Sequence, residues 1–225
     1  MEESLAIEQY LKHPCFSSLS GPDVSTIINN CTILDFKKNE NIIKKGSFAT
    51  HIHYVLSGLA KINIVSDGRN NTIRTASEFQ FLGLSHAFCY KTYHISVTAI
   101  ESTRVLLIDI EVFKQLIKTN GSFAMSIIET ISKTSHRQVK RMAMYTNKRV
   151  EGSLATFLLH YARKAESKIF KLPFSRREIA ETIGYSRESV IHTFSKFNKA
   201  NIIKVEDKSV ELLDIDLLIQ IKEKK

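Results

Sequence analysis

The sequence is short of the features that mark a membrane, secreted or catalytic chain. No apolar run approaches the roughly eighteen residues that a bilayer-crossing helix needs. The opening MEESLAIEQY is acidic where a secretory leader would be basic. The expected location is therefore the cytoplasm, with no membrane partner. Cysteine is scarce: Cys15, Cys31 and Cys89 are odd in number and widely spaced, which gives neither a disulfide framework nor a Cys-x-x-Cys metal pair. There is no Gly-rich phosphate loop, no nucleophile elbow and no His-Glu metal helix, so nothing in the chain points to an enzyme.

What remains is the composition of a globular protein. At 225 residues, 43% hydrophobic and 24% charged, the chain can form one or two domains with real cores. Its formal charge is +9 and its pI is about 9.4. From Asn147 onward there are 16 Lys and Arg against 11 Asp and Glu, and 16 against 12 before it. This evenly spread excess suits a polyanionic partner but would equally suit any soluble basic protein.

The richest stretch is 174–197, FSRREIAETIGYSRESVIHTFSKF. Ser175 is placed to cap a helix with Glu178 as its capping-box partner, and Ile179, Ala180 and Ile183 then share a face. Gly184 is the residue able to take positive φ at that helix's end. Ser186 restarts a helix, with Ser189 three residues on and Val190, Phe194 and Phe197 on the buried side. The pattern is a helix-turn-helix. Arg187, Glu188, Ser189 and His192 are left off the apolar stripe, where a recognition helix meets base edges. A pair of surface helices with a solvated polar face is the bland alternative. Against it, 202–205 and 210–213 are apolar runs separated by Glu206-Asp207-Lys208, a β-hairpin that reads as a wing. Asp214 can cap a last helix through Ile221, ahead of Lys222, Lys224 and Lys225.

This segment resembles the winged helix-turn-helix of the Crp/Fnr family of bacterial transcription regulators. Ser186-Arg187-Glu188-Ser189-Val190 is similar to the Ser-Arg-Glu-Thr-Val that opens the family's recognition helix. The resemblance implies double-stranded DNA as partner. Arg187 would lie against guanine O6 and N7, and Glu188 would accept from cytosine N4. Ser189 and His192 complete the base-reading set. His192 stands where the family's cyclic-AMP-responsive members have a third base-contacting Arg, so the half-site is not expected to match theirs at every position. Ser175, Arg176, Arg177, Ser186 and Lys196 are the phosphate-contacting candidates.

Taken from the start, 4–11 is a short helical pattern, and a second helix begins at Ser20 with Pro22 near its first position. From Cys31 the texture turns to short strands at 32–36, 42–43, 51–56, 60–65, 72–75, 94–100 and 103–108. Turns break them at Lys45-Gly46-Ser47, Ser57-Gly58, Asp67-Gly68 and Glu101-Ser102. The segment beginning His53-Tyr-Val-Leu-Ser-Gly is similar to the family's cyclic-nucleotide-binding-like domain. The expected fold is thus α+β: a β-roll or jelly-roll sensor over 1–120, a dimerisation helix over 121–146 and a winged helix-turn-helix over 147–225.

The resemblance also frames the effector. A cyclic-nucleotide site in this family carries a Gly-Glu pair for the ribose and an Arg-Ser or Arg-Thr pair for the phosphate. Here Gly83 is followed by Leu84, and His94-Ile95 occupies the second place. Cyclic AMP is therefore not expected. Phe81, Leu84 and Tyr93, with Phe88 and Tyr90, would line a pocket for something apolar or aromatic, or would fill it themselves. His94, Ser135 and Gln138 are its polar candidates. The cysteines have neither the number nor the grouping of the family's iron–sulfur proteins. His51, His53, His86 and His94 raise haem or a metal, but no carboxylate or thiolate lies near them in sequence, and neither is expected.

Asp109 can cap a helix through Thr119, and Ser122 begins the longest helical stretch, to about Tyr145. Ile128, Ile131, Ser135, Gln138, Met142 and Tyr145 fall at alternating three- and four-residue steps, the seam of a coiled coil. Packing against the sensor is one use of that stripe. The family uses the equivalent helix to pair two subunits, which implies a homodimer on a palindromic operator. Thr146-Asn147 is the expected hinge, followed by a helix over 149–164 with Val150, Leu154, Phe157, Leu158 and Tyr161 inward. The expectation is a DNA-binding regulator that meets RNA polymerase and is modulated by an effector other than a cyclic nucleotide, or by none. The rival is a haem or cyclic-nucleotide sensor acting through protein partners; DNA retention at moderate salt separates the two.

Overall fold

The computed structural model describes residues 7–66, 69–146 and 148–223. The start of the 4–11 helix, the Asp67-Gly68 turn, Asn147 of the hinge and Lys224-Lys225 lie outside them. The chain forms two compact units, one holding most of the residues up to Arg137 and the other holding Arg69–Thr72 and the residues from Gln138 on.

In the first unit a helical turn over 7–10 leads to a capped helix, α1 (Gly21–Asn29), in which Ser20 and Asp23 form a reciprocal capping box and Pro22 sits in the first turn. The strands are β1 (Cys31–Phe36), β2 (Asn41–Ile43), β3 (His51–Ser57), β4 (Leu59–Ser66), β5 (Arg69–Ser77), β6 (Phe81–Leu82), β7 (Ser96–Ala99) and β8 (Thr103–Asp109). They make two sheets, ordered β1-β8-β3-β6 and β2-β7-β4-β5. Every strand expected from the sequence is present, within three residues at each end. The structure adds the two-residue β6 and a short helix, α2 (Leu84–Cys89), which starts at Gly83 with φ 65° and no side-chain cap.

Strand β3 shows why the sandwich is stable. Its burial is continuous rather than alternating, because both of its faces are covered. Val55 faces the other sheet with Val105, Leu82, Ile62 and Val97. Ile52, Tyr54 and Leu56 face a second cluster built with Phe16, from the short helical turn Pro14–Phe16, and with Phe113 and Phe123 from two helices. Those helices are α3 (Ile110–Thr119), capped by Asp109, which accepts from the backbone N–H of Glu111 and Val112, and α4 (Gly121–Tyr145). The long helix begins one residue before Ser122, because the Asn120 side chain accepts from the Phe123 N–H at 3.0 Å and holds the first turn.

Helix α4 has two faces. Phe123 and Ile127 are buried, and Ile131, Thr134, Gln138, Arg141 and Tyr145 continue the same stripe half-buried. On another face Met125, Ile128, Ser132, Ser135, Val139 and Met142 are all exposed. Their steps of three and four make the exposed seam. Of the seam expected from the sequence, Ile128, Ser135 and Met142 lie on this exposed face, and Ile131, Gln138 and Tyr145 on the half-buried one. The core claims Phe123, Ile127 and Ile131 first, and that fixes which residues face outward.

The second unit packs α5 (Val150–Lys164), β9 (Ile169–Lys171), α6 (Arg176–Ile183), α7 (Arg187–Lys199), β10 (Ile203–Glu206), β11 (Ser209–Leu212) and α8 (Ile215–Glu223). Leu154, Phe157, Leu158, Phe174, Ile179, Val190, Phe197 and Leu218 are its buried centre. Strand β9, unforeseen in the sequence, joins β11 to make a three-stranded sheet ordered β10-β11-β9.

Candidate nucleic-acid interface

Helices α6 and α7 are set by their ends. Ser175 accepts from the Glu178 N–H at 3.2 Å while the Glu178 carboxylate accepts from the Ser175 N–H at 2.8 Å, so two orphan donors are satisfied at once. Gly184 ends α6 at φ 80°, donating to the Ala180 carbonyl at 2.9 Å. Two residues later Ser186 caps α7, its hydroxyl accepting from the Ser189 N–H at 3.1 Å. A turn this short forces the second helix to cross the first, and Val190, Thr193, Phe194 and Phe197 lock the crossing from the buried side.

The opposite side of α7 is open. Arg187, Glu188, Ile191, His192, Ser195, Lys196 and Lys199 are exposed. Among the described residues the side chains of Arg187, Glu188 and His192 take part in no hydrogen bond or ion pair, so their donors and acceptors are free for a partner. Towards the end of the helix a shallow open depression is lined by His192, Ser195, Lys196, Lys199 and Ala200. Ile191, passed over when reading for polar groups, is 44% exposed on the same face, between Glu188 and Ser195.

Ser189 is half-buried and its hydroxyl lies 2.9 Å from that of Ser186. Arg176 is half-buried with its guanidinium 3.5 Å over the Phe194 ring, and burial lowers its pKa. Arg177 is exposed but engages Glu181 at 3.1 Å, and Lys196 engages Glu151 at 3.1 Å. The Glu151 carboxyl is held below its usual range by a backbone hydrogen bond first and by Lys196 second. Surface pairs of this kind are weak and can be exchanged for a phosphate. Ser175 is exposed, and its hydroxyl donates to Glu178 at 2.9 Å.

The wing is a tight hairpin closed by Asp207 at φ 52° and Lys208, with Val205 opposite Val210. The Asn198 side chain accepts from the Val205 N–H at 3.0 Å, which ties the wing to the end of the recognition helix. Asp214 caps α8 by accepting from the Leu217 N–H at 2.8 Å.

In the first unit the expected pocket residues separate. Phe81 and Leu84 belong to the helix-side cluster, whereas Tyr93 belongs to the cluster between the sheets. The Tyr93 hydroxyl donates to the His51 carbonyl at 2.9 Å, and its ring takes the space beside Gly83, where an added Cβ would meet it at 2.8 Å. His94 is exposed and stacks on Tyr90 at 4.3 Å, and Phe88 and Tyr90 are exposed as well. On α4, Ser135 is exposed and Gln138 half-buried. His53 is buried beside Tyr93, and burial first, then His51, pushes its pKa down to about 4. Among the described residues no three His, Cys, Asp or Glu are grouped to hold a metal, and no helix is long and apolar enough to cross a membrane. Among the described residues no disulfide joins the three cysteines; Cys15 is buried and Cys89 exposed.

Comparison with known proteins agrees with this division. The model of the cyclic nucleotide-binding domain matches residues 33–120, and that of the Crp-like helix-turn-helix domain matches residues 152–221. The transcriptional activator protein FnrA of Stutzerimonas stutzeri is 26% identical over 184 residues, covering 79% of this chain and 75% of its own. A solved structure from Eubacterium rectale, described as a transcriptional regulator of the crp/fnr family, has a TM-score of 0.79 at 20% identity, covering 96% of this chain and 100% of its own. FixK2 from Bradyrhizobium japonicum has a TM-score of 0.73 at 21% identity, covering 87% and 98%. Those two likenesses bear on fold; the relatives in sequence are transcription regulators, which are not enzymes. With a β-roll, a long helix and a capped, wing-supported recognition helix in place, the chain belongs to the Crp/Fnr family of transcription regulators, with a helix-turn-helix DNA-binding domain.

Proposed function

We propose that the protein binds a palindromic operator as a homodimer and reads each half-site with α7 in the major groove. The observation that carries this reading is the free, exposed Arg187-Glu188 pair in the first turn of a helix whose other side is packed into the domain. In that pose Arg187 donates to guanine O6 and N7, Glu188 accepts from cytosine N4, and His192 and Ile191 reach the next bases. Lys196, Arg177, Ser175 and Ser186 face phosphates, with Arg176 held on Phe194 at the margin. The exposed seam of α4 supplies the dimer contact, and two-fold pairing sets the recognition helices about one duplex turn apart.

The β-roll is the sensor in this reading, and its effector is not a cyclic nucleotide. Leu84 and His94-Ile95 replace the polar anchors, and Tyr93 occupies the space beside Gly83. Any effector acts by favouring one dimer geometry over the other; with none, the protein is constitutively competent. RNA polymerase is the further partner that a transcription regulator meets in the cytoplasm.

The test is Arg187→Ala in DNA retention against selected and random duplexes. Specific binding should weaken by about 1–3 kcal/mol with relaxed preference at one base pair. Equal loss on both duplexes would remove Arg187 from base readout. Retention of no duplex at moderate salt would favour the protein-docking alternative.

A further inference from the structure

The turn before the recognition helix is tied to the segment that follows α4 by contacts that neither capping nor DNA reading explains. Tyr185, between Gly184 and the N-cap Ser186, is half-buried, and its hydroxyl donates to the backbone carbonyl of Lys148. The Lys148 side chain turns the other way. Its ammonium donates to the carbonyl of Lys222 at 2.8 Å, in the last turn of α8, and to the Thr156 hydroxyl at 3.1 Å on α5. Thr156 is buried and itself donates to the Gly152 carbonyl at 2.7 Å. A cation at a helix C-terminus meets unsatisfied carbonyls and the negative end of the dipole. Lys148 is accordingly held in place although burial, first, and Lys222, second, lower its pKa.

One residue therefore joins three elements. Its carbonyl is gripped from the helix-turn-helix, and its ammonium is anchored on α5 and α8. A phenol on a rigid ring cannot follow a large movement of the Lys148 carbonyl without shifting its own backbone. Tyr185 lies two residues before Arg187, so that shift is delivered to the first turn of α7.

We propose that Tyr185 and Lys148 are positioning residues for DNA recognition: a clasp that fixes the angle at which Arg187 and Glu188 are presented and passes any rotation of the chain leaving α4 to them. The proposal rests on the DNA-binding reading for its consequence, but the clasp can be measured without DNA. Neither side chain needs to touch a base.

The test uses the full-length protein with Tyr185→Phe, which removes only the hydroxyl, and with Lys148→Met, which keeps the stem and removes the charge. The first readout is amide hydrogen exchange. Tyr185→Phe should speed exchange together at Ser153, whose N–H is bonded to the Arg149 carbonyl, and at Ser189 and Val190 in the first turn of α7. Lys148→Met should do the same and also loosen the end of α8. The second readout is the ratio of affinity for a selected duplex to that for a random one. Losing one net hydrogen bond should lower the ratio by about three- to tenfold while random-duplex affinity and its salt slope stay within about twofold.

Unchanged exchange at Ser189 and Val190 in Tyr185→Phe overturns the clasp whatever the DNA result. Coupled exchange with an unchanged ratio, or with equal loss on both duplexes, reduces Tyr185 to a stabilising contact and overturns its positioning role. If the wild-type protein selects no duplex, the DNA-binding reading fails, and the exchange experiment still decides whether the clasp exists.

Discussion

Val139 offers the sharpest test of how two copies would pair. It is 65% exposed on α4, in line with Met125 at 61%, Ile128 at 54% and Met142 at 72%. Full burial of such a side chain is worth about 1.5–3 kcal/mol, so the open two-thirds of Val139 contributes about 1–2 kcal/mol per protomer, or about 2–4 kcal/mol per dimer. Val139→Glu removes that and sets two carboxylates near the two-fold axis. The dimer dissociation constant should rise by about 30- to 1,000-fold, read by sedimentation equilibrium over a concentration series. Circular dichroism should stay native, because an exposed site asks nothing of the monomer's core. Two neighbours serve as controls. Gln138→Glu, adjacent in sequence but half-buried on another face of the helix, should leave the dissociation constant within about threefold, because its side chain turns away from the Val139 face. Ile131→Glu should damage the fold itself, because Ile131 packs against the helix-side core. A Val139→Glu protein as dimeric as wild type, or a larger effect at Gln138, would refute the exposed register.

The remaining predictions concern phosphate contact, a helix cap, pH and thiol reactivity. Lys196→Ala should weaken all duplexes alike and flatten the salt slope by about one, read by filter retention at several salt concentrations. Gly184→Ala places a side chain at φ 80° and should cost about 1 kcal/mol, read as a lower denaturation midpoint. His53 is neutral in the fold with a pKa of about 4, below its ordinary 6.5, so the unfolded chain binds the extra proton. Its contribution is complete above about pH 6.5 and is lost as pH falls towards 4, by at most about 3 kcal/mol; His53→Gln should flatten the stability profile in that window. Cys89 is exposed, whereas burial pushes the Cys15 thiol up to about 11, so iodoacetamide should label Cys89 in the native protein and Cys15 only after unfolding, as read by mass spectrometry.

The parts that local chemistry dictates were legible in the chain. Ser175 with Glu178, Gly184, Ser186 and Asp109 are end signals acting over three or four residues, and each lies where its helix starts or stops. The run of short strands broken by turn signals such as Ser57-Gly58 and Glu101-Ser102 likewise identified the roll. What escaped depends on distant partners. Strand β9 is three residues long and exists because Phe170 pairs with Val210, forty residues on. Helix α2 has no capping side chain, and its start is set by Gly83 under the Tyr93 ring. On α4 two adjacent three-four stripes fit the same helix, and which of them turns inward depends on the core's demand for Phe123, Ile127 and Ile131, which the spacing alone does not reveal. Ile191 was passed over because an aliphatic residue on a recognition helix reads as core until its exposure is known.

The central claim is that a paired set of α7 helices reads DNA sequence. The most direct measurement is selection of bound duplexes from a random library by the purified protein with no ligand added, followed by sequencing. The account expects an inverted repeat, with a G·C pair shared by both half-sites at the place read by Arg187 and Glu188 and half-site centres about one helical turn apart. Failure to enrich any duplex, both alone and with cell extract supplying small molecules, would contradict it.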